Sequence, residues 1–180
     1  MKKVSLFLTL LIAATLSFAQ TTTVVAVDPA GAGGFESAGT IAGNGWTVVG
    51  PTGNNAWNVG SVPGVFAGSN CAYISNTSGT TYNYARASLS RTYFYRDIAI
   101  PATATAINLS FYYKGAGENS TPPDNWDQLI VFHAPTSFTP VNTAPVGTAS
   151  TLAGATTIFA SSEQSTVAWT QVTATIPVAA

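Results

Sequence analysis

The chain has 180 residues, of which 7% are charged, with six Lys and Arg against seven Asp and Glu. Without a basic patch, nucleic-acid binding and adhesion to anionic membranes lack their electrostatic basis. Aromatic and β-branched residues throughout exclude a disordered chain, and a single cysteine, Cys71, excludes an internal disulfide.

In chain order, Met1-Lys2-Lys3, an apolar run from Val4 to Leu16 and the small-residue exit Ser17-Phe18-Ala19 read as a secretory signal peptide, residues 1–19. The apolar run is too short for a comfortable membrane span, which needs about 20 residues. Cleavage after Ala19 removes two lysines. It leaves Arg86, Arg91, Arg96 and Lys114 against Asp28, Glu36, Asp97, Glu118, Asp124, Asp127 and Glu163, a net charge of −3. Residues 20–33 read as a short strand (Thr23 to Val27) and a linker, and residues 34–180 as one domain. Within it, Gly45 to Val49, Ala56 to Gly60 and Ser69 to Ser75 read as strands separated by turns at Pro51 to Asn55 and Asn76 to Thr81. Tyr82 to Ile100 mixes aromatic residues with charges, and places Asp97 beside Arg96 as a candidate local ion pair. Thr156 to Ala160 and Ala168 to Ile176 are the last strand candidates. No stretch shows a sustained helical stripe with caps. Short strands punctuated by turns predict an all-β fold, an antiparallel β-sandwich of jelly-roll type.

The stretch from Ile107 to Pro135 organises the rest. Ile107, Leu109, Phe111 and Tyr113 alternate with Asn108, Ser110, Tyr112 and Lys114, the period of a half-buried strand. In a second strand, Asp127, Leu129, Val131 and His133 share one face, and Trp126, Gln128, Ile130 and Phe132 the other. The polar connection between them holds Glu118, Asp124 and Asp127, so acids gather in one loop between two core strands. His133, the one histidine, reads as an ordinary end-of-strand side chain, and Cys71 as a small buried hydrophobe. A Cys71/His133 nucleophilic pair is the catalytic alternative, but no recognisable catalytic sequence surrounds either residue.

Several segments together resemble a known family. They are Gly34-Phe35-Glu36-Ser37 with Gly45-Trp46-Thr47, Asn55-Ala56-Trp57-Asn58-Val59-Gly60 and Ala72-Tyr73-Ile74-Ser75-Asn76. Tyr95-Arg96-Asp97-Ile98, Leu109-Ser110-Phe111 through Lys114, Gly115 and Glu118, and Trp126-Asp127-Gln128-Leu129-Ile130-Val131 continue the series, followed by Ala134-Pro135 and Ser137-Phe138-Thr139-Pro140. Their order and spacing resemble the MAM-like, cleaved-adhesin or choice-of-anchor J jelly-roll module of secreted bacterial proteins, over Gly34 to Ile176. The resemblance implies a secreted or cell-surface location, frequently with type IX export and a C-terminal sorting domain. The family continues beyond the Ile176-Pro177 turn with a further strand pair, so the resemblance also implies a C-terminally incomplete module within a larger surface protein.

Family members hold structural calcium between an acid of the opening motif, an acid before the later strand and an acid near the C-terminus. Carried over by motif, Glu36 matches the first and Asp127 or Asp124 the second, with Glu118 near enough to assist. Calcium takes about six to eight oxygen ligands, and Asn side chains and loop carbonyls are plentiful. The bland alternative for such an Asp is turn capping. A glycosidase pair needs two acids facing across a cleft, whereas these acids cluster in one loop. Of the aromatic residues, Trp46, Trp57, Trp126 and Trp169 are chiefly core material, while Tyr82, Tyr84 and Tyr112 are the candidates for an exposed ligand-binding platform. Asn-x-Ser/Thr triplets at Asn76, Asn108 and Asn119 are coincidental in a bacterial setting. The reading is a non-catalytic adhesion or accessory binding module, with a host or environmental glycan or protein as partner. The alternatives are a carbohydrate-binding module of a secreted enzyme and a structural spacer.

Overall fold

A computed structural model describes residues 27–50, 55–85, 90–115, 117, 127–141, 152–162 and 168–178. The signal-peptide segment, most of the predicted Thr23 to Val27 strand, Glu118, Asp124, Trp126 and Arg86 lie outside the described residues. The fold is all-β and antiparallel. Its strands are β1 (Thr47–Val49), β2 (Ala56–Gly60), β3 (Cys71–Ser75), β4 (Tyr93–Tyr95), β5 (Ala106–Tyr113), β6 (Gln128–His133), β7 (Thr156–Ser162) and β8 (Thr170–Pro177). A 3-10 turn, Ala42–Asn44, interrupts what reads as loop in the sequence. Among the described residues of the mixed Tyr82 to Ile100 stretch, only β4 is strand.

Pairing follows β1-β4, β2-β3, β5-β8 and β6-β7. The two strands of the Ile107 to Pro135 stretch, β5 and β6, therefore do not pair with each other; each takes a partner from the end of the chain. In β5, Ile107, Leu109, Phe111 and Tyr113 are half-buried, and Ala106, Asn108, Ser110 and Tyr112 are exposed. They stand opposite Ile176, Ala174, Val172 and Thr170 of β8. Directly opposed residues point to the same side of a sheet, so these eight share one face, the inner one, with Thr170 exposed at its end. Its partner layer is β6-β7. Phe111 and Tyr113 bring their rings to 5.9 and 5.2 Å from that of Phe159, and Tyr113 Oη lies 3.2 Å from Ser161 Oγ. Phe159 stands opposite Val131 and Ser161 opposite Leu129, so the Leu129/Val131 face turns toward β5. The result is two antiparallel layers pressed together, as a β-sandwich requires. A register shift between Val131 and Phe132 marks a bulge.

The N-terminal half is knit differently. Phe94 of β4 stands edge-on to Phe35, Trp46 and Trp57, at centroid distances of 5.9, 5.2 and 4.8 Å. Trp46 and Trp57 donate their indole N–H groups to the carbonyls of Ala32 and Thr92, which leaves large apolar rings to bury without an unpaired donor. Asn44, 1% exposed, donates to the Ala38 and Thr40 carbonyls and accepts from the Ser37 N–H. Asn55, 5% exposed, clamps Ala85 through both its N–H and its carbonyl, and reaches Ser90 Oγ. The expected Arg96–Asp97 ion pair does not form. Arg96 instead carries its guanidinium over Gly45 and toward the Asn44 carbonyl, 3.5 Å away, while Asp97 faces solvent. A charged head beside an otherwise open carbonyl exchanges one solvated pair for a useful contact, and an exposed ion pair is worth only about 0–1 kcal/mol.

Candidate functional site

The predicted calcium residues come first. Glu36 accepts at Oε1 from the Ser69 and Asn70 N–H groups, at 2.8 and 2.9 Å, and at Oε2 from Asn70 Nδ2 at 3.1 Å. These bonds favour the charged form and hold its carboxyl below the usual range, the Asn70 and Ser69 N–H groups contributing most. A carboxylate offers about four lone-pair sites, and three are taken by N–H donors. Asp127 accepts the Tyr84 hydroxyl at Oδ2, 2.7 Å away. Among the described residues no three His, Cys, Asp or Glu side chains gather as metal ligands. The three N–H donors make Glu36 a protein staple, and Glu118 and Asp124 of the same predicted set lie outside the described residues. Glu36 ties the β2–β3 loop to the opening motif, and any Cβ on Gly68 would collide with its Oε1. Nothing local in the sequence announces that use, because the partners lie more than 30 residues on.

Cys71 sits in β3 opposite Gly60 and His133 ends β6 opposite Thr156, in two different sheets. Burial, and then the nearby Glu36 charge, push the Cys71 thiol up, away from the thiolate a nucleophile needs.

The three tyrosines separate. Tyr84 is half-buried against Asp127, the position of a structural hydrogen bond more than of a platform. Tyr82 and Tyr112 are 56% and 39% exposed. Tyr112 projects from the outer face of β5, beside a polar ladder in which Gln171 donates to Ser110 Oγ and Thr175 to Asn108 Oδ1. Its ring lies 3.6 Å from that of Phe66 at an interplanar angle of 16°, a stacked pair, and Phe66 is itself 49% exposed. Trp169 meets Phe66 edge-on at 6.0 Å and is locked by its indole N–H on the Gly64 carbonyl, 2.6 Å away. Phe66 was legible as an anomaly: an aromatic residue in the Gly/Pro-rich segment Ser61 to Asn70 has no strand period that would carry it into a core.

Tyr82 borders a cleft of about 340 Å³, lined also by Ser61, Pro63, Tyr73, Thr80 and Asn83, and no lining residue is charged. Its wall is stiffened from within. Ser75, 1% exposed, accepts at Oγ from the Thr77 and Gly79 N–H groups, and Thr77 Oγ1 accepts from the Thr81 N–H. The Asn76 N–H meets the Asn83 carbonyl, and the Tyr73 hydroxyl donates to the Gly79 carbonyl. Ser78 and Gly79 are both left-handed, at φ 55° and 86°, a conformation that glycine takes freely and serine holds only against about 1–2 kcal/mol. Such outliers collect where a loop is held for a purpose.

Searches against family models, curated proteins and solved structures find no match to this chain.

Proposed function

We propose that the chain is a non-catalytic binding module that works in adhesion or as an accessory to a larger exported protein. Its contact surface is the strip formed by Phe66 and Tyr112 on the outer side of β5-β8. One observation carries the reading: two large rings stacked at 3.6 Å stay 49% and 39% open to solvent. Burying such rings is worth about 1.5–3 kcal/mol each, so leaving them open forgoes stability that a partner can recover. The leader-like N-terminus supports export. The ordered motifs support a MAM-like module, and the antiparallel layers are compatible with a jelly-roll connection of the strands.

A second reading, the carbohydrate-binding module of a secreted enzyme, is favoured by the hydroxyl and amide groups that flank the rings. The test for the module itself is an array of glycans and extracellular proteins probed with the labelled chain and with its F66A/Y112A variant. Binding by the parent and its loss in a variant that keeps its melting temperature is the expected result. Undiminished binding by the variant removes the strip from the proposal, and no retention on any spot by the parent removes the module reading altogether.

A further inference from the structure

The cleft at Tyr82 and the stacked rings at Phe66 share one piece of chain. Ser61, Val62 and Pro63 border the cleft. The next residue, Gly64, receives the Trp169 indole N–H, and Phe66 lies two residues further on against Tyr112. Three Cα steps of 3.8 Å separate Pro63 from Phe66, so the two features are at most about 11 Å apart along the backbone. Tyr82, Phe66 and Tyr112 are three of the five exposed large apolar side chains among the described residues. The open rings are therefore concentrated at the two ends of one short loop.

From this juxtaposition we infer that the surface takes a neutral, extended oligosaccharide laid across the 61–66 loop, one end in the Tyr82 cleft and the other over Phe66 and Tyr112. The inference rests on the binding-module reading above and names its ligand class. A sugar ring offers a face of C–H groups and a rim of hydroxyls. It is matched by aromatic faces for the first and by neutral groups that both donate and accept for the second. The cleft is lined by Ser61, Thr80 and Asn83 beside Tyr73 and Tyr82, with no charge among its lining residues. Its volume is at the small end of ligand sites, about 300–1,000 Å³, which suits a terminal unit more than a whole chain. The remaining units then need a second surface, and the stacked pair lies in reach. Lys114 stands at the middle of the path, its Nζ 4.0 Å from where a Cβ on Gly64 would lie. One cation suits a hydroxyl or ring oxygen, whereas a polyanion is held by several. A protein partner would favour a flatter patch with an apolar centre. Here polar groups interleave the rings, and the cleft wall is already held by the Ser75 and Thr77 bonds, so binding orders little that is not ordered.

The experiment measures affinity by calorimetry for neutral trioses and hexaoses of the cello-, xylo-, manno- and chito- series, with a hexagalacturonide as the anionic probe. At least one neutral hexaose should bind, its triose at least about tenfold more weakly. Y82A and F66A should each cost about five- to tenfold, the worth of one aromatic contact, and Y82F should retain the parent affinity. Melting temperatures of the variants separate loss of contact from loss of fold. If a hexaose binds but neither its length nor Y82A matters, the cleft is no subsite and this inference fails while the module reading stands. Binding of the galacturonide alone, or of proteins and no neutral glycan, also overturns it. If array and calorimetry both show nothing, the two readings fall together.

Discussion

The two halves of the molecule are built on different principles. From β5 to β8 most of the described residues are strand, and the stabilising unit is the opposed pair: Phe111 with Val172, Leu109 with Ala174, and the rings of Phe111, Tyr113 and Phe159 between layers. From residue 27 to β4 it is made largely of loops, and the stabilising unit is one polar side chain that satisfies several backbone groups. Asn44, Asn55 and Ser75 are the buried polar residues among those described, and each makes two or more such bonds. A ladder spreads its energy over many equivalent contacts. A staple concentrates it, because removing one partner strands the others without water. The candidate site lies where the two halves meet: Phe66 belongs to a stapled loop, Tyr112 to the ladder, and Trp169 immediately precedes β8.

Substitutions can break this contrast. Asn55→Ala should be the costliest, at about 3 kcal/mol, since it leaves Ala85 without its clamp and adds the penalty of alanine at a left-handed φ of 52°. Chemical denaturation reads it as a lowered midpoint. Asn55→Gly, relieved of the backbone part, should lose distinctly less, and equal losses would refute the account of the strain. Phe111→Ala should cost about 2 kcal/mol, below the range for fully buried rings because Phe111 is only half-buried. If Phe111→Ala proves costlier than Asn55→Ala, the ladder is the more concentrated of the two.

Glu36→Gln sharpens the comparison through pH. The folded-state pKa of Glu36 is lowered, so its contribution is present above the unfolded pKa and is lost as pH falls through the folded one. Thermal melts in acid should therefore show the gap between parent and variant narrowing as pH drops below the carboxylate range. The Cys71 thiol beside it stays protonated over that span, being shifted up by burial and by Glu36. A gap independent of pH would mean that the staple acts by shape and not by charge.

Much of the ladder was readable beforehand. The alternation from Ile107 to Tyr113 assigns its inner and outer faces correctly, and the Leu129/Val131 face is the inner one. Of the three tyrosines expected to be exposed, Tyr82 and Tyr112 are, whereas Tyr84 is half-buried with its hydroxyl on the Asp127 carboxylate. The staples were not readable. The motif offers Glu36 as a cation ligand, and its use as a loop anchor becomes visible only in the fold, since its donors come from Ser69 and Asn70. The Arg96–Asp97 pair failed for a related reason: adjacency in sequence places two charges near each other, but Asn44 and Gly45 offered the guanidinium a more sheltered place.

By itself the sequence determined the class of the fold, because a period of two is a property of neighbouring residues and needs no knowledge of what lies across the sheet. Only the tertiary structure decided that β5 takes β8 and β6 takes β7, since closing a long loop costs little more than closing a short one and matched faces then choose the partner. It likewise decided which rings stay open. Exposure belongs to what the rest of the chain fails to cover, and Phe66, Tyr112 and Tyr82 remain uncovered where the ladder and the stapled loops adjoin.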